Sequence, residues 1–337
     1  MSDARPAAPR YPPEGQADLV VDIGGTKVLV ALAAGGKIVD RARLETAGWA
    51  TLAGLVAAVA AAGLDLARRN GVSLRAALTA VPGVIDRATG TLVWAANLPF
   101  RSFPLTTALS RGLGGIKVVI EDDANCGVVG EAAFGSARGS KDAVYVTLST
   151  GIGMGVQVNG QLVQGGHGAA GELGHILVVP DGRQCGCGRR GCLEAYASGN
   201  GIAGQGQELV AAGAAPILAA AVPGPGAVTA REVIAAAAAG DAGCEAILAV
   251  AVEMLDDALR ILQCVLDPEV VVLGGGLMAN PAYAARALGV LGTGGPGTGD
   301  DLPVRVGTLG DDSVVVGGLH LLATEHHPAT DPLEAAI

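Results

Sequence analysis

GHILVVPDGRQCGCGRRGCLE, residues 174–194, sets three of the chain's six cysteines within eight residues and a histidine ten positions ahead of the first. His175, Cys185, Cys187 and Cys192 offer one imidazole and three thiolates, the donor set of a closed tetrahedral Zn²⁺ site. Thiolates two and five residues apart converge only where the backbone turns tightly. Gly186, Gly188 and Gly191 are expected to supply those turns by taking positive φ. The competing readings are three unliganded buried thiols, or a disulfide with one spare thiol. Polar and glycine neighbours speak against the first, and a Cys-x-Cys loop is too short for an easy disulfide. The spacing is not that of a zinc finger, and a structural metal alone names no activity. Arg189 and Arg190, inside the loop, read as solvated charges.

Working outward, 337 residues suggest about two domains. Asp and Glu number 32 against 22 Lys and Arg, and no basic run interrupts the net charge of −10, so nucleic-acid binding is disfavoured. Half of the residues are hydrophobic but only nine are aromatic, so the core must be built from Ala, Val, Leu and Ile. Residues 1–17 carry four prolines and no apolar stretch, and read as a disordered tail rather than a signal peptide. No run of eighteen apolar residues predicts a membrane span. Cysteines expected to stay reduced point to the cytoplasm. Residues 326–337 are expected to fray.

Strand-like and helix-like segments alternate. Residues 18–23 and 27–32 predict two strands around Gly24-Gly25. Residues 52–70 predict an Ala-rich helix closed by Gly71. Residues 74–81 form a strand ending at Pro82-Gly83, and 116–120 another that delivers EDDAN at its carboxyl end. Strands at 144–148 and 155–158 bracket STGIGM. Residues 229–266 are helical, starting near Thr229, Arg231 and Glu232 and breaking at Gly240. A buried strand at 270–273 opens into Gly274-Gly275-Gly276. Residues 223–226 and the Gly-rich stretch 290–301 read as loops.

Three glycine turns thus follow short buried strands, and such turns expose N–H groups that can cradle anions. DIGGTK, residues 22–27, joins an aspartate, a glycine turn and a hydroxyl, the parts that place Mg²⁺ and phosphate together. LSTGIGMG, residues 148–155, offers a second nest with Thr150 as an added donor. Each is equally readable as a plain hairpin. GGHGAAG, residues 165–171, contains a formal Gly-x-Gly-x-x-Gly, but the cysteine cluster occupies the place of the βαβ unit a dinucleotide site needs.

In order, DIGGTK, EDDAN, LSTGIGMG, GELGH, CGCGRRGCLE and VVLGGG resemble the motifs of the ROK (repressor, ORF, kinase) family, specifically its glucokinase-like sugar kinases, over residues 18–322. The resemblance implies an α/β, actin-like ATPase (ribonuclease H-like) fold of two lobes with a central cleft. The lobes are expected at 18–122 and 123–325, the second carrying the zinc loop 175–194. It also implies transfer of the γ-phosphoryl group of ATP to a hexose 6-hydroxyl.

The resemblance makes Asp123 the base that accepts the hydroxyl proton, a role suited to a carboxylate just past a buried strand. Without the other motifs, an aspartate there reads as a helix cap. Asp122 stands where the family has asparagine, which puts its sugar contact in question. Glu172, His175 and Glu194 match sugar-contacting residues, as does Asn97, with Phe100 near the family's tryptophan. Gly83 would let backbone approach the sugar. His175 would serve zinc with one ring nitrogen and sugar with the other. Asp22 would hold Mg²⁺ through water. Thr26 and the N–H groups of Gly24, Gly25 and Gly151 would bind phosphates with Thr150, and Lys27 is either a phosphate partner or a solvated charge. Gly274, Gly275 and Gly276 resemble the adenosine-side loop, and Ser198-Gly199 opens a nearby helix.

The cofactors implied are ATP, Mg²⁺ and a structural Zn²⁺, and the assembly a homodimer or homotetramer. Family repressors carry a helix-turn-helix ahead of the sugar domain, which seventeen Pro-rich residues are too short to form. A silent sugar sensor would not need Asp123 and both phosphate turns. N-acetylmannosamine, N-acetylglucosamine and fructose kinases share the quoted motifs. Glucose is favoured because the stretch around the cysteines looks most like glucokinases.

Overall fold

The computed structural model describes residues 9–46, 48–49, 51–95, 101–291 and 302–324. Asn97, Phe100, most of the expected loop 290–301 and the expected fraying at 326–337 lie outside them. The chain forms two compact units, Met1–Ala133 with Gly165–Ala169 and Asp312–Ile337, and Phe134–Gln164 with Ala170–Asp311.

The first unit is built on a five-stranded mixed sheet. Its strands are β1 (Gln16–Ile23), β2 (Lys27–Ala34), β3 (Lys37–Glu45), β4 (Ser73–Ala80) and β8 (Lys117–Glu121), in the order β3-β2-β1-β4-β8. β1 pairs antiparallel with β2 but parallel with β4, and β4 pairs parallel with β8. A near-continuous apolar β1 suits a strand covered on both faces. The odd face, Leu19, Val21 and Ile23, packs with α1 (Leu52–Arg69) and α2 (Leu105–Gly112). On the even face, Val20 and Leu78 meet Gly318 of α10 (Ser313–Thr324). Thr51 caps α1 by accepting from Gly54 N at 3.2 Å, and Gly71 ends it at φ +66°. A small three-stranded sheet, β5 (Val84–Asp86), β6 (Thr91–Trp94) and β7 (Arg101–Phe103), lies between β4 and α2 in the chain. α3 (Asp123–Phe134) follows β8 directly.

The second unit's sheet runs β11-β10-β9-β12-β13, with β9 (Ala143–Leu148), β10 (Ile152–Val158), β11 (Gln161–Leu162), β12 (Val270–Gly274) and β13 (Val304–Val306). β9 pairs antiparallel with β10 and parallel with β12. Its core gathers Val144, Val146 and Leu148 with α7 (Ala230–Ala238) and α8 (Ala242–Leu266). A Thr229–Glu232 capping box starts α7, Gly240 at φ +93° breaks the run, and Asp241 caps α8, as the pattern of residues 229–266 predicts. The shorter helices are α4 (Glu194–Ala197), α5 (Gly199–Ala211), α6 (Pro216–Ala221) and α9 (Pro281–Leu288). No single described helix is long and apolar enough to cross a membrane.

Two boundaries differ from the sequence expectation. The described part of the expected tail, residues 9–17, is held to the first unit. Arg10 N donates to Ala323 O at 2.6 Å, the Tyr11 ring packs over Gly36, and Gln16-Ala17 already belong to β1. The expected division after residue 122 is also displaced, because α3 and α10 stay with the first sheet. They cross with backbones in close approach. A Cβ at Gly130 would clash with the Ser313 carbonyl, and one at Gly317 with the Cys126 carbonyl.

That crossing yields a test. Gly317→Ala should cost about 1–3 kcal/mol in urea unfolding by overpacking. Gly204→Ala on α5, where a Cβ meets nothing within 4 Å, should stabilise by roughly 0.4–1 kcal/mol. Equal stability of Gly317→Ala and wild type would contradict the close crossing.

Candidate active site

In the first unit, parallel pairing brings three loops to one rim. Asp22 is in register with Ala80, and Ala80 with Glu121. The Gly24–Lys27 turn, Pro82-Gly83 and Asp122-Asp123 therefore leave the sheet side by side. Gly24 N donates to Lys27 O at 2.9 Å, closing the β1–β2 turn, and Thr46 Oγ1 donates to Gly24 O at 2.8 Å. Asp22 is half-buried, while Thr26 and Lys27 are exposed. Gly83 takes φ +112°, and a Cβ there would strike the Trp94 carbonyl, so its own hairpin already requires glycine.

The EDDAN segment divides its labour. Asp122 Oδ1 accepts from Ala124 N at 3.0 Å and Asn125 N at 3.2 Å, which makes Asp122 the cap of α3. An asparagine oxygen would cap equally well, so the departure from the family residue keeps the helix start. Asp123 lies in the first helical turn, half-buried, its Oδ1 accepting from Ala124 N at 2.8 Å. Glu121 is fully buried. Its carboxylate pairs with Arg87 and accepts from Asn125 Nδ2 at 2.9 Å and Asp122 N at 2.8 Å. Burial works against the Glu121 charge, but the Arg87 pair and these donors hold its pKa below the ordinary carboxylate value. Arg87, Glu121 and Asn125 were not singled out as site residues from the sequence. An arginine in a turn gives no sequence signal that it will meet a strand end 34 positions later.

In the second unit, the parallel β9–β12 pair repeats the device. The Ser149–Gly151 turn and the Gly274–Gly276 loop leave adjacent strands. Leu277 N donates to Leu148 O at 2.9 Å, and Gly199 N, at the start of α5, donates to Ser149 O at 2.7 Å. Gly275 takes φ +86°, and a Cβ there would lie 2.5 Å from Leu148 O. Thr150, Gly151, Gly274, Gly275 and Gly276 are thus one cluster, with the Ser198-capped end of α5 against it.

The cysteine loop gathers its four donors as the spacing anticipates. The ligand atoms of His175, Cys185, Cys187 and Cys192 all lie within 4.8 Å of one another. His175 Nδ1 is 3.7 Å from Cys185 Sγ, and Cys187 Sγ is 3.7 Å from Cys192 Sγ. Zn–S bonds of about 2.3 Å give a tetrahedral edge near 3.8 Å, so the donor set fits a four-coordinate ion. None of the cysteines is in a disulfide. Burial pushes the Cys185 thiol up to about 12 and raises Cys192. Burial opposes ionisation of Cys187 too, but hydrogen bonds from the Arg189 backbone and from neighbouring side chains lower its pKa overall.

Two expectations for this loop change. Gly188 and Gly191 take φ +91° and +80°, but Gly186 stays out of the positive region, with no neighbour within 4 Å of a Cβ. Arg189 is not merely solvated. Its guanidinium donates to the His175 carbonyl and to Cys187. Arg190 only reaches Asp181 O at 3.4 Å.

His175 presents its other nitrogen, Nε2, to Glu172 Oε2 at 3.7 Å. Glu194 Oε2 accepts from Ile152 N at 2.9 Å, tying the end of the cysteine loop to the start of β10. Burial raises the Glu172 pKa, His175 lowers it, and the Glu194 charge raises it again. Glu172, His175 and Glu194 therefore share one neighbourhood. GGHGAAG opens no βαβ unit and is followed by the short turn Leu173–His175.

The sequence profile of the ROK family matches residues 19–323. This chain belongs to the ROK family. It is 34% identical over 312 residues to a glucokinase of Halalkalibacterium halodurans, covering 88% of this chain and 92% of that protein. The structure of a ROK-family glucokinase from Streptomyces griseus, in complex with glucose and AMPPNP, superposes with TM-score 0.77 at 29% identity, covering 90% of this chain and 98% of the other. A ROK hexokinase from Thermus thermophilus gives TM-score 0.71 at 30% identity, covering 90% and 97%. The mixed α/β architecture of two units is that of the family's actin-like ATPase fold.

The raised Glu172 pKa has a testable sign. A folded-state pKa above the ordinary value of 4.5 gives stability that is complete below the unfolded pKa and lost as pH rises through the folded one. Glu172→Gln should therefore gain in Tm relative to wild type as pH is raised from about 4 to 7. A Tm difference independent of pH would mean that this carboxyl is not desolvated.

Proposed function

We propose that this ROK-family chain is an ATP-dependent hexose kinase that transfers the γ-phosphoryl group to a 6-hydroxyl, with glucose the preferred acceptor. The observation that carries the reading is the rim of the first sheet, which Asp123 shares with the Gly24–Lys27 turn across the intervening β4. Phosphoryl transfer asks little covalent work of a protein. It needs a base, neutralised phosphate charge and in-line placement.

Asp123 is the base, accepting the hydroxyl proton as the oxygen attacks phosphorus. Asp22 would hold Mg²⁺, whose charge would help neutralise the phosphates. The N–H groups of Gly24, Gly25 and Gly151 and the hydroxyls of Thr26 and Thr150 bind phosphate oxygens, with Lys27 adding charge. Gly274–Gly276 receive the adenosine side. Glu172, His175 and Glu194 bind sugar hydroxyls, and Asn97 and Gly83 contribute to the same substrate. Asp122 serves first as the helix cap. His175, Cys185, Cys187 and Cys192 would hold a structural zinc, which would fix the loop. An imidazole anchored through Nδ1 keeps Nε2 in place for substrate. The glucokinases among the relatives support glucose over the N-acetylated hexosamines and fructose.

The test is a coupled assay across glucose, fructose, mannose, N-acetylglucosamine and N-acetylmannosamine, with Asp123→Asn beside wild type. Glucose should give the highest kcat/KM. Asp123→Asn should lose on the order of 10²-fold in kcat with sugar affinity little changed. Near-wild-type turnover would remove Asp123 from the chemistry, and preference for another sugar would reassign the acceptor.

Metal analysis should find about one zinc per chain. Cys187→Ser should lower zinc content and weaken sugar binding indirectly. His175→Ala should raise the sugar KM further at matched zinc, because it removes a ligand and a contact together. The ATP KM should move little in either. A zinc-free preparation of full activity and stability would overturn the structural role.

A further inference from the structure

The side chain that joins the most parts of the first unit's rim is Arg87, in the turn between β5 and β6. It is 15% exposed, and Glu121, its partner, is 0% exposed. Nε donates to Glu121 Oε2 at 3.1 Å, while Nη2 donates to Oε1. This fork fixes both carboxylate oxygens in one plane. Oε1 is then in place to accept from Asp122 N and Asn125 Nδ2, the groups on either side of Asp123. A third segment meets the same guanidinium. A Cβ at Gly168, where φ is +71°, would lie 2.8 Å from Arg87 Nη1 and 2.9 Å from Ile85 O, so only glycine fits against the arginine. The turn that carries Arg87 is itself held, since Asp86 Oδ1 accepts from Ala88 N and Thr89 N.

We propose that Arg87 is a positioning residue for phosphoryl transfer: through Glu121 it fixes the β8–α3 turn, and with it the direction of the Asp123 carboxylate. The inference rests on Asp123 being the base. Among the described residues, Arg87 is placed against Glu121 and Gly168. Its effect runs through the fork to Glu121, and from Glu121 to the Asp122 amide and the Asn125 side chain. Glu121 has a role of the same kind. Its buried charge would be costly unpaired, and when paired it holds Asp122, just before Asp123, and Asn125, two positions after it. Loss of the fork frees the turn by a fraction of an ångström to about one, a displacement that lowers chemistry by up to about 10²-fold while leaving ground-state contacts largely intact.

Arg87→Met and Arg87→Lys are compared with wild type in steady-state kinetics and in amide hydrogen exchange of Ala124 and Asn125. Arg87→Met should lower kcat by roughly tenfold to 10²-fold, with the sugar KM within about threefold, and should lose protection at both amides. Arg87→Lys keeps the charge but not the fork, so it should fall between Met and wild type in both readouts. A folded Arg87→Met with wild-type kcat and protection overturns the proposal. So does an Arg87→Met that fails to fold while Arg87→Lys keeps wild-type kcat and protection, because the pair would then be structural only. A rise in sugar KM with kcat unchanged would also overturn it. Asp123→Asn separates the two ideas. If it retains turnover, the base assignment fails, and the proposal with it, even though exchange still reports the hold on the turn. If Asp123→Asn is inactive and the Arg87 variants are normal, only the positioning role falls.

Discussion

Parallel pairing of strands distant in sequence is the constraint on which the site depends. β1, β4 and β8 run in one direction, so loops around residues 24, 83 and 122 open at the same rim. β9 and β12 do the same for residues 150 and 275. The strand ends that reach the rims are largely buried, although β8 opens with exposed Lys117, and a slip by one residue would exchange a strand's two faces. Hydrophobic burial therefore sets the spacing of groups that themselves contribute nothing to the core.

Close approach of backbone is the second requirement, and it explains glycines whether or not they also serve a ligand. Gly83 is demanded by the Trp94 carbonyl, Gly275 by Leu148 and Gly168 by its positive φ and the Ile85 carbonyl. Gly130 and Gly317 let α3 lie against α10, and α3 is the helix whose first turn carries Asp123. Substrate contact at Gly83 or Gly275 would be an addition to a conformational need that exists without it. Glycine in a motif is thus weaker evidence of binding than an aspartate in the same motif.

Much of the architecture was legible in the sequence. Short apolar runs pointed to β1, β2, β4, β8, β9 and β12, and the Thr229–Glu232 pattern to the start of α7. The cysteine spacing anticipated a cluster that the folded chain brings together. What escaped was non-local or compensated. β3 alternates half-buried and exposed positions along an edge, and its mixed composition, KIVDRARLE, carries no clean apolar signal. α10 is almost wholly apolar because it packs between layers, so it shows little amphipathic pattern and gave no hint that it belongs with the first sheet. The expected boundary at residue 122 followed chain order, whereas 165–169 and α10 return to the first unit. Asp122 and Asp123 both fall at substrate positions of the family motif, and the N–H donors at the helix start engage Oδ1 of Asp122 as a cap.

Charge explains why those neighbouring carboxylates can differ in role. Glu121, Asp122, Asp123 and Asp22 lie close enough that, after burial, they are the next causes raising the pKa of the wholly buried Cys126 thiol. Four like charges at one rim repel, and each needs its own compensation. Glu121 has Arg87. Asp122 has the N–H groups and positive end of α3, which stabilise a carboxylate at that position. Asp123 shares the helix end and accepts from the Ala124 amide, and Asp22 stands at the mouth of the glycine turn. Even so, four carboxylates at one rim leave a local excess of negative charge. A cation and a substrate hydroxyl would relieve that residual repulsion, so substrate binding and electrostatic relief at this rim favour the same arrangement.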